Sequence, residues 1–541
     1  MSKGDREGYR MEENGRYTHH YIICRMSFYL HFIVMAFIVV LLLFFAGRTD
    51  YSYKKSFLLG NGALICMGAV CGGIVCHLLR QAESLWENAH VDSEKIVLLL
   101  TKVLFFAQVY FCYSAYFYSG WDAAVIDYGA NELANNRSLG SISYFSQYPN
   151  NLLLVSFFSL LKKVDKYIGV LDVNNGTMLI LCVQCCISSL TGLLLYKIVR
   201  RLTGHRGAWC AWICYFVLVG SSGWLLIPYS DSVGLLFPVC ILYVYQQIQN
   251  PAAVARFPLW VKWVIIGMLS YVGYHIKPQI LIVLIAIVLT ECMRVLPCKK
   301  NKIRLLGRGV LYAIAGVFLA ALVYNILMKD IMGQLDQEKR FGMAHYIMMG
   351  LNPWNNGGYL YSDVEFSESF PTVSERNAAN AEMIGERLEY MGISGLNVHV
   401  VKKLLTNYGD GTFAWKNEGT FVESIYEPKN AFLSPLLRNL IVGEGEMNRL
   451  TETIRQMVWL CVLAASLGLA GHRKSEDNVL YTVTWAVLGL TLFELLFEAR
   501  ARYLYIYVPF YIIAAVMGAG KIKMLLQYVG SRLFSLASCK K

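Results

Sequence analysis

Long apolar runs, separated by short polar clusters, dominate this chain. Runs of the length that crosses a hydrocarbon core, roughly 17 to 25 residues, fall near 27–47, 56–80, 96–118, 176–198, 207–226, 230–248, 259–276, 278–296, 309–328, 454–471, 478–497 and 503–520. The pattern predicts an all-α polytopic membrane protein of about twelve transmembrane helices. Two polar intervals are too long to be turns, 119–175 and 329–453. In the first, "YFSQYPNNLLLVSFFSLLKKV" (Tyr144–Val164) sets an aromatic and proline turn ahead of an apolar stretch too short to span. That stretch, Asn151–Leu161 with its flanks, predicts an amphipathic helix lying in the interface. The second interval is large enough for a small folded domain. The first apolar run exceeds the about 7 to 15 residues of a cleavable signal and reads as a retained anchor. The chain thus divides into a polar start (1–26), a transmembrane domain (27–328), the large loop (329–453), the last helices (454–520) and a tail (521–541).

Composition agrees with this pattern. The chain is 56% hydrophobic and only 16% charged, against about 45–50% and a quarter in soluble domains. The net charge of +12 does not point to nucleic acid, because excess Lys and Arg in a membrane chain mark cytoplasmic loops and contact with anionic lipid. Most of the fifteen cysteines lie in apolar runs, and none falls between Lys329 and Glu452. A disulfide-held outer domain is not expected.

The basic residues set the orientation. Lys197, Arg200, Arg201 and Arg206, then Arg294, Lys299, Lys300, Lys302, Arg304 and Arg308, and finally Lys521, Lys523, Arg532, Lys540 and Lys541 fall on one side under a twelve-span count. That side is expected to be cytoplasmic. The first polar interval, "PYSDS" (228–232), "YHIKPQ" (274–279), the large loop and "FEARARY" (497–503) then share the opposite face. A transporter would carry ionisable groups near the midplane. Here the charges gather at span ends, which favours an enzyme working at the outer interface.

The most unusual polar cluster is "YSGWDAAVIDYGANELA" (Tyr118–Ala134), which places Asp122, Asp127 and Glu132 just after an apolar run. On a helix Asp122 and Asp127 point about 140° apart, so one site can readily use only one of them. They serve either as a solvated helix face or as catalytic groups.

Taken in order and with their shared sidedness, Asp122, the Tyr148–Pro149 turn, "YSD" (229–231), "IKP" (276–278), "HYIMMGLN" (345–352), "GDGTFAWKNEG" (409–419) and "EARARYL" (498–504) resemble the integral-membrane glycosyltransferases of the GT-C superfamily. They are most similar to bacterial enzymes of the protein-mannosyltransferase and aminoarabinose-transferase type (glycosyltransferase family 39-like), Gram-positive branch. The resemblance covers about Leu98 to Gly520. It implies a multi-pass cell-membrane enzyme with an extracytoplasmic active site. Such an enzyme moves a sugar from a polyprenyl-phosphate donor to a glycan, glycolipid or protein acceptor. No "GxGxxG" follows a strand to hold a nucleotide sugar, which agrees with a lipid-borne donor.

Such a reaction needs a carboxylate to take the acceptor's proton and fixed cations for the leaving phosphate. The resemblance implies Asp122 as general base and Arg502, Arg500, Lys277 and His345 as donor-phosphate contacts. It further implies substrate contacts at Tyr148, Tyr229, Asp231, Asn352 and Asp127. Each has a structural alternative. The arginines could be snorkelling anchors, with Arg500 paired to Glu498; Lys277 could mark the helix entry before Pro278; His345 could be a satisfied loop histidine; and Asp231 could cap a span. Ala123 follows Asp122 where many relatives carry a second acid, so metal-independent catalysis without a cofactor is expected. "CVQCC" (182–186) lies mid-span with no second pair and predicts no metal site. Trp354 and Trp415 in the large loop could stack on sugars or pack beneath it. A flippase of lipid-linked saccharide and a non-catalytic scaffold are the remaining readings.

Overall fold

The protein, a computed structural model, is described over residues 25–45, 57–88, 92–168, 176–249, 257–295, 300–416, 424–425, 433–442, 445–472 and 478–522. Almost all of the polar start and of the tail lie outside those residues. The chain opens with α1 (Arg25–Phe44), α2 (Asn61–Asn88) and α3 (Ser93–Ala115). Then come the short α4 (Trp121–Ala134) and α5 (Ile142–Gln147), followed by α6 (Leu152–Ile168), α7 (Thr177–Thr203) and α8 (His205–Tyr215). The middle of the chain forms α9 (Ser230–Gly234), α10 (Leu236–Gln249), α11 (Leu259–Ile276), α12 (Leu281–Val295) and α13 (Lys300–Met332). The large loop contributes α14 (Met343–Gly350), α15 (Tyr361–Glu368), α16 (Val373–Tyr408) and α17 (Ser434–Ile441). The chain returns through α18 (Glu446–Ser466), α19 (Asn478–Leu496), α20 (Arg502–Tyr505) and α21 (Val508–Ile522).

Among the described residues ten helices are long and apolar enough to cross a membrane, two fewer than the sequence pattern predicts. The difference lies in the runs at 207–226 and 503–520. In the first, α8 stops at Tyr215 and passes through a π turn (Phe216–Gly220) into a 3₁₀ turn (Gly223–Leu226). "GSSG" (220–223) is poor helix-forming sequence, and Arg455 of α18 donates to the carbonyls of Val217 and Ser221 that the irregular turn leaves over. Gly223 fits because a Cβ there would lie 2.3 Å from the Trp415 ring. In the second run, Pro509 starts α21, since a proline's missing N–H matters least in a first turn.

The large loop is mostly helical over its described residues. Thr372 and Glu375 form a reciprocal capping box that starts α16, and Gly392, at φ 54°, kinks it. Downstream, Asp410 accepts from the backbone N–H groups of Thr412 (2.8 Å) and Ala414 (3.0 Å), turning "GDGTFAW" into the core. Trp415 is buried there, so its role is packing. A short antiparallel pairing of Phe117–Tyr118 with Ser424–Ile425 ties the stretch just before the first polar interval to the large loop. The predicted juxtamembrane helix is α6, lying against α4 and α7.

The polar side chains sort to opposite ends. Arg200 pairs with Glu94 and Arg206 with Glu83 at one end. About 35 Å along α7, Thr177 donates to Asp127 at the other. None of the described cysteines is joined in a disulfide.

Candidate active site at one end of the helix bundle

Trp121 begins α4 in the left-handed region, φ 54°, which a bulky residue rarely adopts and which costs of order 1–3 kcal/mol. Its indole N–H donates to Ser119 Oγ at 3.0 Å, and its ring meets Tyr229 edge-on at 4.7 Å. This turn puts Asp122 half-buried in the first helical turn. Two phenols address the carboxylate. Tyr229 donates to Asp122 Oδ2 at 3.2 Å, and the Tyr144 hydroxyl also hydrogen-bonds it. Asn151 donates to the Tyr144 oxygen at 2.8 Å, which leaves the phenolic proton for Asp122. Burial, and then the charge of Asp122, push both phenols well above the ordinary tyrosine range. They remain donors at any physiological pH.

The facing wall is the 497–503 turn. Arg502 is buried with its guanidinium over the rings of Trp121 (4.8 Å), Tyr229 (5.5 Å) and Tyr503 (5.5 Å), a desolvated cation in an aromatic box. Arg500 points elsewhere. It pairs with Glu498 at 2.5 Å, and Tyr503 donates to the same carboxylate at 2.9 Å. Burial works against an ionised Glu498, but Arg500, Arg502 and these hydrogen bonds hold its carboxyl below the usual range. The turn is clasped by Lys403 of α16, whose Nζ donates to the carbonyls of Gly350 (2.8 Å), Leu495 (2.9 Å) and Phe497 (2.6 Å). Burial depresses Lys403 to about 7.

Lys277, between α11 and the turn that opens α12, forms a buried ion pair with Asp231 and lies 5.0 Å from the Tyr503 ring centre. Asp231 makes no side-chain cap at α9. It holds Lys277 through one oxygen while the other is buried without a hydrogen bond.

The structure therefore gathers Asp122, Tyr229, Asp231, Lys277, Arg500 and Arg502. Tyr148 joins them, close enough to Asp122 and Glu498 that burial and their charges raise its phenol. Three predicted contacts are corrected. Asp127 is turned away as the helical geometry requires, and ties α4 to α6 and α7 through Lys162 (2.9 Å) and Thr177. Asn352 is a structural cap, accepting from Trp354 N and donating to Asp363 at 2.9 Å. His345 is buried against Phe341 and Ser367, and burial lowers it to about 4. A neutral imidazole supplies no positive charge to a phosphate. Sequence reasoning did not single out Trp121, Tyr144, Tyr503 or Lys403. The aromatic run-up "YFYSGW" to Asp122 was the one available signal, since the other partners come from distant positions. Among the described residues no group of three or more His, Cys, Asp or Glu gathers as a metal site.

Fold and site together define an all-α integral membrane protein with a polar, tyrosine-lined cluster at one end. The chain belongs to a family described as a conserved hypothetical integral membrane protein, whose family model matches residues 18–522. No curated protein and no solved structure matches the chain.

Proposed function

We propose that this protein transfers a sugar from a polyprenyl-phosphate donor to an acceptor hydroxyl at the extracytoplasmic face of a cell membrane. The observation that supports this reading is that a half-buried carboxylate, Asp122, and a buried cation, Arg502, far apart in sequence, meet at Tyr229, the first through its hydroxyl and the second over its ring. Asp122 takes the acceptor proton as oxygen attacks the anomeric carbon. The bond from that carbon to the phosphate oxygen breaks, and its electron pair leaves with the lipid phosphate. Attack and departure on opposite faces invert the anomeric centre. Arg502 meets the phosphate charge in a site of low dielectric, where a fixed cation counts for more than in water. The phenols of Tyr229 and Tyr144 aim the carboxylate. The sidedness rests on the basic clusters at the other end of the bundle.

The test is reconstitution in liposomes with a set of labelled polyprenyl-phosphate hexoses and isolated envelope acceptors. The wild-type protein should transfer label, and Asp122→Asn should lower the rate by at least about 10² while donor binding persists. Movement of labelled lipid between leaflets without transfer would instead establish the flippase. Near-normal transfer by Asp122→Asn would remove Asp122 as base.

A further inference from the structure

Trp354 and Tyr390 come from different parts of the large loop, a 3₁₀ turn (Pro353–Asn355) and the first half of α16. Their rings nevertheless sit 5.4 Å apart at 33°. Both stay open to the surroundings, 66% and 70% exposed. The turn beneath is held firmly. Asn352 accepts from Trp354 N at 3.0 Å, Gly357 N donates to Asn352 O at 2.9 Å, and Gly358 N to Asn355 O at 2.8 Å. Asn356 and Gly357 take the left-handed conformations this needs, φ 51° and 73°. The same turn is joined to the candidate site. Gly357 O accepts from Ala499 N at 2.7 Å, between Glu498 and Arg500. Tyr359 lies under the Arg500 guanidinium, 5.5 Å away, and is near enough to Asp122 and Glu498 for their charges to act on it. One turn therefore carries Trp354 beside Tyr390 on its outer side, and a few residues on it carries Tyr359, near the charges of Asp122 and Glu498.

We propose that the Trp354–Tyr390 pair is the platform on which the acceptor lands, and that the acceptor is an uncharged saccharide chain. This rests on the transferase reading above. Flat, exposed rings suit the apolar faces of sugar rings, whose hydroxyls stay in water. The surrounding charge narrows the choice. Glu386 shares the helical face of Tyr390 four residues on, and Glu389 is its neighbour; both are exposed. These carboxylates accept hydrogen bonds from hydroxyls but repel a phosphate-rich polymer or an anionic lipid surface.

The experiment is calorimetric titration of the full protein in nanodiscs with short neutral gluco-, manno- and N-acetylglucosamine oligosaccharides, against empty nanodiscs. At least one should bind with a Kd in the millimolar range or tighter. Trp354→Ala and Tyr390→Ala should each weaken binding at least about tenfold, with Trp354→Phe and Tyr390→Phe recovering most of it. Failure of every oligosaccharide to bind, or unchanged binding in both alanine variants, overturns the platform. So does preference for anionic vesicles or a phosphate polymer over the neutral chains. Because binding is read without turnover, the two readings fail separately. Binding without transfer refutes only the transferase, while unimpaired transfer to a long acceptor by Trp354→Ala refutes only the platform.

Discussion

The guanidinium of Arg502 rests 4.8 Å from the centre of the Trp121 ring, and Asp122 is the next residue along the chain. Cation and carboxylate thus approach each other from facing walls across the Trp121 and Tyr229 rings, the arrangement on which the proposed transfer depends.

A lysine in place of Arg502 would keep the charge but lose the planar stack over three rings, an interaction worth up to about 2 kcal/mol when desolvated. Arg502→Lys should therefore reduce donor use by roughly 10- to 30-fold. Arg500→Lys, which can still reach Glu498, should be milder. Transfer rate against donor concentration for both variants decides it, and a larger defect in Arg500→Lys would reverse the assignment.

The Lys277–Asp231 pair gives a stability prediction. Removing one member of a buried pair leaves a charge uncompensated, at about 3–5 kcal/mol, whereas replacing both with apolar groups is often near neutral. Lys277→Met should lower the melting temperature in detergent clearly, and Lys277→Met with Asp231→Leu should recover most of the loss. A double variant as unstable as the single one would mean the pair is not the main partner of either group.

The depressed pKa of His345, about 4 against an ordinary 6.5, fixes a pH dependence. Between those values the unfolded chain binds a proton that the folded form refuses. Stability of α14–α16 is therefore complete above about pH 6.5 and falls as pH drops toward 4, by up to about 3 kcal/mol. Hydrogen exchange of α14 amides across pH 4 to 7, corrected for intrinsic rates, should show this loss, and His345→Gln should flatten it.

Sidedness can be read with a cysteine at Glu389, which is exposed. Asn356, the natural choice from the loop's composition, is buried. Glu389→Cys should react with an impermeant thiol reagent on intact cells well above the wild-type background. Labelling only after lysis would put the cluster on the cytoplasmic side and remove the lipid-donor argument.

Much of the fold is legible in the sequence because membranes impose simple lengths and periods. The helices from α1 to α3 and from α10 to α13 follow directly from apolar runs. Segments where tertiary contacts override composition are not legible. The 207–226 run reads as one unbroken helix, yet the segment passes into π and 3₁₀ turns at an end that Trp415 and Arg455, distant in sequence, hold. Helix α16 is hidden by its glycines and polar residues, although "TVSE" at 372–375 carries its start signal. At the site, the acid and the arginines stand out because charge is conspicuous beside apolar runs. The roles of His345 and Asn352 depend on burial and partners, which sequence spacing does not encode.

The two walls of the cluster come from the 121–148 and 498–503 stretches, and Lys403 clasps the second through the carbonyls of Leu495 and Phe497. During synthesis the first wall and the Lys403 helix are made well before their counterpart. The cluster is therefore complete only once α19 has been threaded into the bilayer, and a ribosome stalled earlier leaves a chain with a carboxylate but no opposing arginine.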